Sequence, residues 1–245
     1  MSDHIGAGYG SEYHLMRYMA RYRYELNREI ENKIGITIVN WLDFKRKNKD
    51  VYNPSDPAKV ILPDQELEGL EFIKEGEYPQ VLEEWKTFWP QKGTQHNWDA
   101  VAKIKIDSCD GWLLVEAKAH TGEIESNCSA DAPESVKKID LAFQKTKGFL
   151  RIQNSNDWKK KYYQYANRLA VLCFLREHSI MAKLLFIYFL GDKHQQLRDG
   201  STCPQTAQEW YPFLEKQKQY LGVTDTMKQH FGIHEVFLDV APTGQ

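Results

Sequence analysis

Hydrophobic and polar positions repeat along this chain with two periods. Between residues 11 and 34, Leu15, Tyr18, Met19, Tyr22, Leu26 and Ile30 recur at steps of three and four, which predicts one helix with Ser11 as N-cap. Residues 36–44 (ITIVNWLDF) are rich in β-formers and read as a strand. Residues 45–63 collect Pro54, Pro57 and Pro63 among Asn and Asp and read as a loop. An acidic segment, predicted to be helical, runs from Asp64 to about Trp89. Residues 99–106 and 112–119 then read as two strands joined by a turn at 107–111, a hairpin.

Val136, Ile139, Phe143 and Leu150 mark a helix opened by Asp131-Ala132-Pro133. Trp158, Tyr162, Tyr165, Leu169 and Leu172 mark another. Residues 184–190 are apolar throughout, as in a strand buried on both faces. The order helix, strand, acidic insertion, hairpin, helices, buried strand predicts a mixed α/β domain. We read residues 1–245 as one domain, with a core over about 11–191 and a C-terminal extension over 192–245. A G-x-G-x-G run at Gly6, Gly8 and Gly10 follows no strand and reads as an arm, not as a dinucleotide loop.

Composition narrows the class. Hydrophobic residues at 42 % and charged residues at 27 % exclude intrinsic disorder. The longest apolar run, 184–190, is far shorter than the roughly 20 residues of a membrane helix. The N-terminus has no basic patch followed by an apolar stretch, and the four cysteines share no short spacing. The expectation is a cytoplasmic protein with reduced thiols. The net charge of −2 hides an asymmetry: residues 61–84 carry eight acids and one lysine, whereas 136–176 carry ten bases and two acids. A basic segment of this kind permits polyanion binding through one face.

The segment that carries chemistry is 97–120, NWDAVAKIKIDSCDGWLLVEAKAH. Strand alternation sends Glu116 and Lys118 to one side, ~7 Å apart along the strand. Antiparallel pairing about a turn near Cys109 sets Asp99 opposite residues 117–119. Charges in a buried strand are costly unless they pair or hold a metal. Asp99 and Glu116 offer hard oxygen ligands for Mg²⁺ or Mn²⁺, and Lys118 could activate water or neutralise developing charge. The plainer alternative is a salt-bridged strand end.

Asp99 followed after sixteen residues by Glu116-Ala117-Lys118 in adjacent strands resembles the PD-(D/E)XK nuclease superfamily. That resemblance implies the restriction-endonuclease-like fold, a mixed sheet flanked by helices in the order α-β-β-β-α-β. It also implies a divalent metal held by Asp99 and Glu116, help from the Ala117 carbonyl, and a catalytic Lys118. Trp98 stands where the motif has Pro. By the same resemblance a first-helix acid, Glu12, joins the metal, with Glu66, Glu68 and Glu71 as rivals, and Gln164 sits at the site's edge.

Lys160, Lys161 and Arg168, read on one polar face of the helix from Trp158, are candidate phosphate contacts. His120 is a candidate for lining the site. The expected function is a Mg²⁺- or Mn²⁺-dependent nuclease acting on DNA, less readily on RNA, with a homodimer left open. The alternative is a silent module of the same fold that binds nucleic acid or protein.

Overall fold

The computed structural model describes residues 9–42, 45–46, 64–74, 76–91, 95–193, 197 and 200–241. The glycine arm before residue 9 and nearly all of the proline-rich loop lie outside these. Two helices, α1 (Ser11–Arg21) and α2 (Arg23–Ile34), precede β1 (Thr37–Trp41). Short strands β2 (Lys45–Arg46), β3 (Asp64–Gln65) and β4 (Leu67–Glu68) lead to α3 (Pro79–Phe88) and β5 (Asn97–Trp98). The hairpin β6 (Ala100–Ile106) and β7 (Cys109–Lys118) is followed by α4 (Pro133–Leu150), α5 (Tyr163–Glu177) and β8 (Ala182–Leu190). The chain closes with α6 (Ala207–Leu221), α7 (Asp225–Phe231) and β9 (Ile233–Asp239).

The protein is α/β, with a mixed five-stranded sheet in the order β1-β6-β7-β8-β9. The first two pairings are antiparallel and the last two parallel. Helices cover both faces. On one, Leu113, Val115, Ala117 and Ala119 of β7 and its exit pack with Leu15, Leu26 and Ile30 of α1 and α2. On the other, Trp112 and Leu114 pack with Phe143, Leu169, Leu172 and Trp210. This division follows from period-two alternation along a strand buried on both sides.

Several expectations change. Gly10, not Ser11, is the N-cap of α1, and the hairpin turn is Asp107–Ser108 alone. The first helix breaks at Tyr22, where the Arg23 side chain turns back and donates from Nε to the Met19 carbonyl at 2.8 Å. That bond satisfies a carbonyl the break would otherwise orphan. The acidic segment is helical only over Pro79–Phe88. Before it, Leu67, Leu70, Phe72 and Ile73 are drawn into the core. Gly69, at φ +53°, turns the chain there so that its carbonyl accepts from Trp98 Nε1 at 2.8 Å. That positive φ favours glycine, since a side chain there would be strained whatever space it found.

The second basic helix begins at Tyr163, not Trp158. Its first amides are capped from a distant loop, Tyr163 N by the Ser126 carbonyl and Gln164 N by Ser126 Oγ. Lastly, the core does not stop at residue 191. Strand β9 pairs in register with β8 from Leu184–Ile233 to Leu190–Asp239, so the C-terminal segment supplies the fifth strand. None of the four cysteines is in a disulfide. Among the described residues, no helix is long and apolar enough to cross a membrane.

Candidate active site

β7 presents Glu116 and Lys118 on the α5 face, two residues beyond Leu114. Asp99 occupies the bend between β5 and β6, and its Oδ2 accepts from the Ala117 amide at 2.6 Å. The register of β6 and β7, which sets Ala100 opposite Val115, does not pair Asp99 with residues 117–119 as expected; Asp99 reaches Ala117 through its side chain. Glu116 is 2 % exposed and Lys118 8 %. Lys118 Nζ donates to Glu116 Oε1 at 2.5 Å.

Arg168 reaches in from α5 and holds the other oxygen. Its Nε and Nη2 lie 2.8 and 2.6 Å from Glu116 Oε2. Its Nη1 donates to Asn167 Oδ1 at 2.7 Å, and Nη2 donates to the Asn97 carbonyl. The guanidinium carbon lies 4.8 Å from the centre of the Trp98 ring. Trp98, where the motif has Pro, is thus the platform on which this arginine rests.

The electrostatics follow from burial and pairing. Burial, reinforced by the Glu116 charge, pushes the Asp99 carboxyl up to about 8. Burial acts on Glu116 in the same sense, but the Arg168 and Lys118 charges outweigh it and hold that carboxyl below its usual value. Burial alone would lower Lys118, yet Glu116 and Asp99 raise it. Lys118 therefore stands as an ammonium, suited to donating hydrogen bonds and stabilising charge and unsuited to abstracting a proton.

These groups open on a cavity of about 770 Å³, which Glu12, Glu66, His120 and Gln164 also line. Glu66 is raised by burial, opposed by a hydrogen bond from Asn97 and reinforced by the charges of Glu12 and Glu116. Glu12 lies on the exposed side of α1, off the apolar stripe of Leu15 and Met19. Glu68 and Glu71 line a separate groove of about 480 Å³.

Gln164 is half-buried at the cavity rim, as its position four residues before Arg168 dictates. Arg168 itself is not on a solvent-facing stripe. It is 3 % exposed and bound to Glu116, so in this arrangement it does not offer the phosphate contact expected of it. Lys160 and Lys161 precede α5. Lys160 is exposed, and Lys161 pairs with Glu125 at 3.0 Å.

Three roles were not read from the sequence. They are the Arg168 clamp, its Trp98 platform, and Glu123, which accepts from the Ala119 amide at 2.5 Å and from Ser11 Oγ at 3.1 Å. Only the clamp left a trace in the sequence: Gln164 and Arg168, four apart, fall on one helix face.

Among the described residues, no three His, Cys, Asp or Glu side chains stand together as a preformed metal cluster. The donor chemistry nonetheless suits a hard divalent cation, because such ions often take one or two carboxylates and keep several waters. The chain matches no family model, no curated protein and no solved structure.

Proposed function

We propose that this protein is a Mg²⁺- or Mn²⁺-dependent nuclease with a restriction-endonuclease-like core, hydrolysing phosphodiester bonds in DNA and less readily in RNA. One observation carries the reading: two carboxylates and an ammonium, buried on an otherwise apolar strand pair, converge at the mouth of a large polar cavity. With β2–β5, α3 and α4 set aside as additions, α2, β1, β6, β7, α5 and β8 follow the order α-β-β-β-α-β, and the last crossover is parallel.

Asp99 and Glu116 would hold the metal, which when bound lowers the pKa of water and neutralises phosphate charge. Lys118 donates hydrogen bonds to the attacked phosphate and offsets the charge that builds on it. Arg168 keeps Glu116 ionised and fixed in orientation. Gln164 borders the substrate at the α5 end.

The test is cleavage of single- and double-stranded DNA and RNA with Mg²⁺ or Mn²⁺. Cleavage abolished by EDTA and by Glu116→Gln supports the reading; a well-folded protein that cuts none of these polymers overturns it. A second reading, a binding module with a silent site, draws on a different observation. Both Glu116 oxygens are already taken, by Lys118 and by Arg168. It predicts nucleic-acid binding that neither metal nor EDTA alters.

A further inference from the structure

The cavity itself holds little that would attract a polyanion. Glu12, Glu66, Glu123 and Glu125 line it beside Asp99 and Glu116, and both Lys118 and Arg168 are bound to Glu116. A protein gains much of its affinity for nucleic acid from cations that meet phosphates, and for single strands also from rings on which bases stack. Here both must come from outside the catalytic groups. The helix that joins the cavity wall at Ser11 and Glu12 carries them.

The buried side of α1 is formed by Leu15, Tyr18 and Met19. On the opposite side Tyr13 is 38 % exposed, Met16 40 %, and Ala20 is exposed as well. Tyr24, in the first turn of α2, is 74 % exposed. Single exposed apolar residues are ordinary on a protein surface. These four recur at steps of three and four across the helix break, so they form a stripe. Between Glu12 and Glu25 the chain carries Arg17, Arg21 and Arg23 and no acid. Arg17 serves the fold, donating from Nη1 to the Val240 carbonyl at 2.8 Å. Arg21 and Arg23 are exposed, and Arg21 has no hydrogen bond or ion pair among the described residues. From Tyr13 to Arg21 the helix runs ~12 Å away from its cavity end.

We propose that this stripe is the track along which a single-stranded nucleic acid runs to the cavity, with Tyr13 and Tyr24 stacking on its bases and Arg21 and Arg23 meeting its phosphates. Charge selects the occupant, because arginines without intervening acids attract a polyanion and repel a basic partner. The tyrosine rings offer flat faces that unpaired bases can cover and that a closed duplex cannot. The stripe is continuous with the cavity through Ser11 and Glu12, so a strand lying on it leads to Asp99, Glu116 and Lys118. This inference rests on the nuclease reading and narrows its substrate to nucleic acid with a single-stranded segment beside the bond that is cut.

The test is equilibrium binding of a fluorescently labelled DNA single strand, and of its duplex, to the full chain in EDTA. Wild type should bind the single strand more tightly than the duplex. Tyr24→Ala and Tyr13→Ala should each weaken single-strand binding by about tenfold. Arg21→Gln should lower the slope of log affinity against log salt by about 0.7. Tyr211→Ala, which removes an exposed ring from α6, should change neither quantity. All of these side chains are exposed, and circular dichroism should report folded variants. Wild-type affinity in both Tyr13→Ala and Tyr24→Ala overturns the inference, as does an equal loss in Tyr211→Ala or a duplex bound as tightly as the single strand. A chain that binds no single strand but forms dimers in sedimentation, which Tyr24→Ala splits, gives the stripe to a second copy and also overturns it. Tyrosine-dependent binding without metal-dependent cleavage upholds the track and refutes the hydrolysis; cleavage without tyrosine-dependent binding does the reverse.

Discussion

The two faces of β7 differ sharply although they share one backbone. On the α1/α2 face, Leu113, Val115, Ala117 and Ala119 are fully buried among apolar groups. On the α5 face the strand starts the same way, with Trp112 and Leu114 in the core, and then places Glu116 and Lys118 where two more apolar residues would fit. The first face is closed by packing. The second is closed by charge, with Arg168 and Lys118 together compensating Glu116 and Asp99. A buried ion network of this kind contributes less to stability than well-packed apolar groups would. Its position at the mouth of a cavity is what the proposed nuclease reading rests on.

Five variants break or sharpen that contrast. The largest effect is expected at Lys118, whose removal to Ala should lower the proposed cleavage rate by about 10²–10⁴-fold. Circular dichroism should still report a folded chain, because Arg168 continues to hold Glu116. Unfolding of Lys118→Ala would instead make the lysine a structural strut. Next, Arg168→Ala should cost about 3–5 kcal/mol in urea unfolding, since it strips a buried carboxylate of its clamp. On the opposite face, Leu113→Ala should cost about 2–5 kcal/mol without affecting metal dependence. A loss of metal response in that variant would end the division of labour between the faces.

The fourth effect is a pH slope. Asp99 titrates at about 8 in the folded chain and 3.8 when unperturbed, so the folded state holds its proton more tightly. Its contribution to stability is full below pH 3.8 and is lost as pH rises through about 8. Asp99→Asn should flatten that decline in thermal unfolding followed from pH 4 to 9; an unchanged slope would assign the decline to other groups. The smallest effect is expected at Lys160. Its exposed side chain should tolerate Ala within about 0.5 kcal/mol, whereas the salt dependence of DNA binding should fall by about one unit of slope if it meets a phosphate.

The hairpin was legible because strand period is a local property, but its turn is Asp107–Ser108 and not 107–111, which sets Ala100 opposite Val115. The helix around Val136 and the buried strand around Phe186 were legible for the same reason. Less could be read where a distant partner overrides the local pattern. The acidic stretch has helical composition, yet Trp98 and Gly69 fold its first half into turns. Trp158 and Tyr162 keep helical spacing, but Ser126 sets the start of α5 at Tyr163. Residues 233–239 form a strand because β8 offers them an edge, a fact no window around them contains.

The sequence by itself determined that Glu116 and Lys118 share one side of a buried strand and that Asp99 lies near them. Those statements need only the two-residue period and the hairpin turn. Only the tertiary structure decided that Arg168 faces inward. Its place on α5 allowed either a surface phosphate contact or a buried clamp, and the choice depended on which side of α5 meets the sheet. Tertiary structure also set Trp98 beneath the Arg168 guanidinium, because that contact joins elements far apart in the chain.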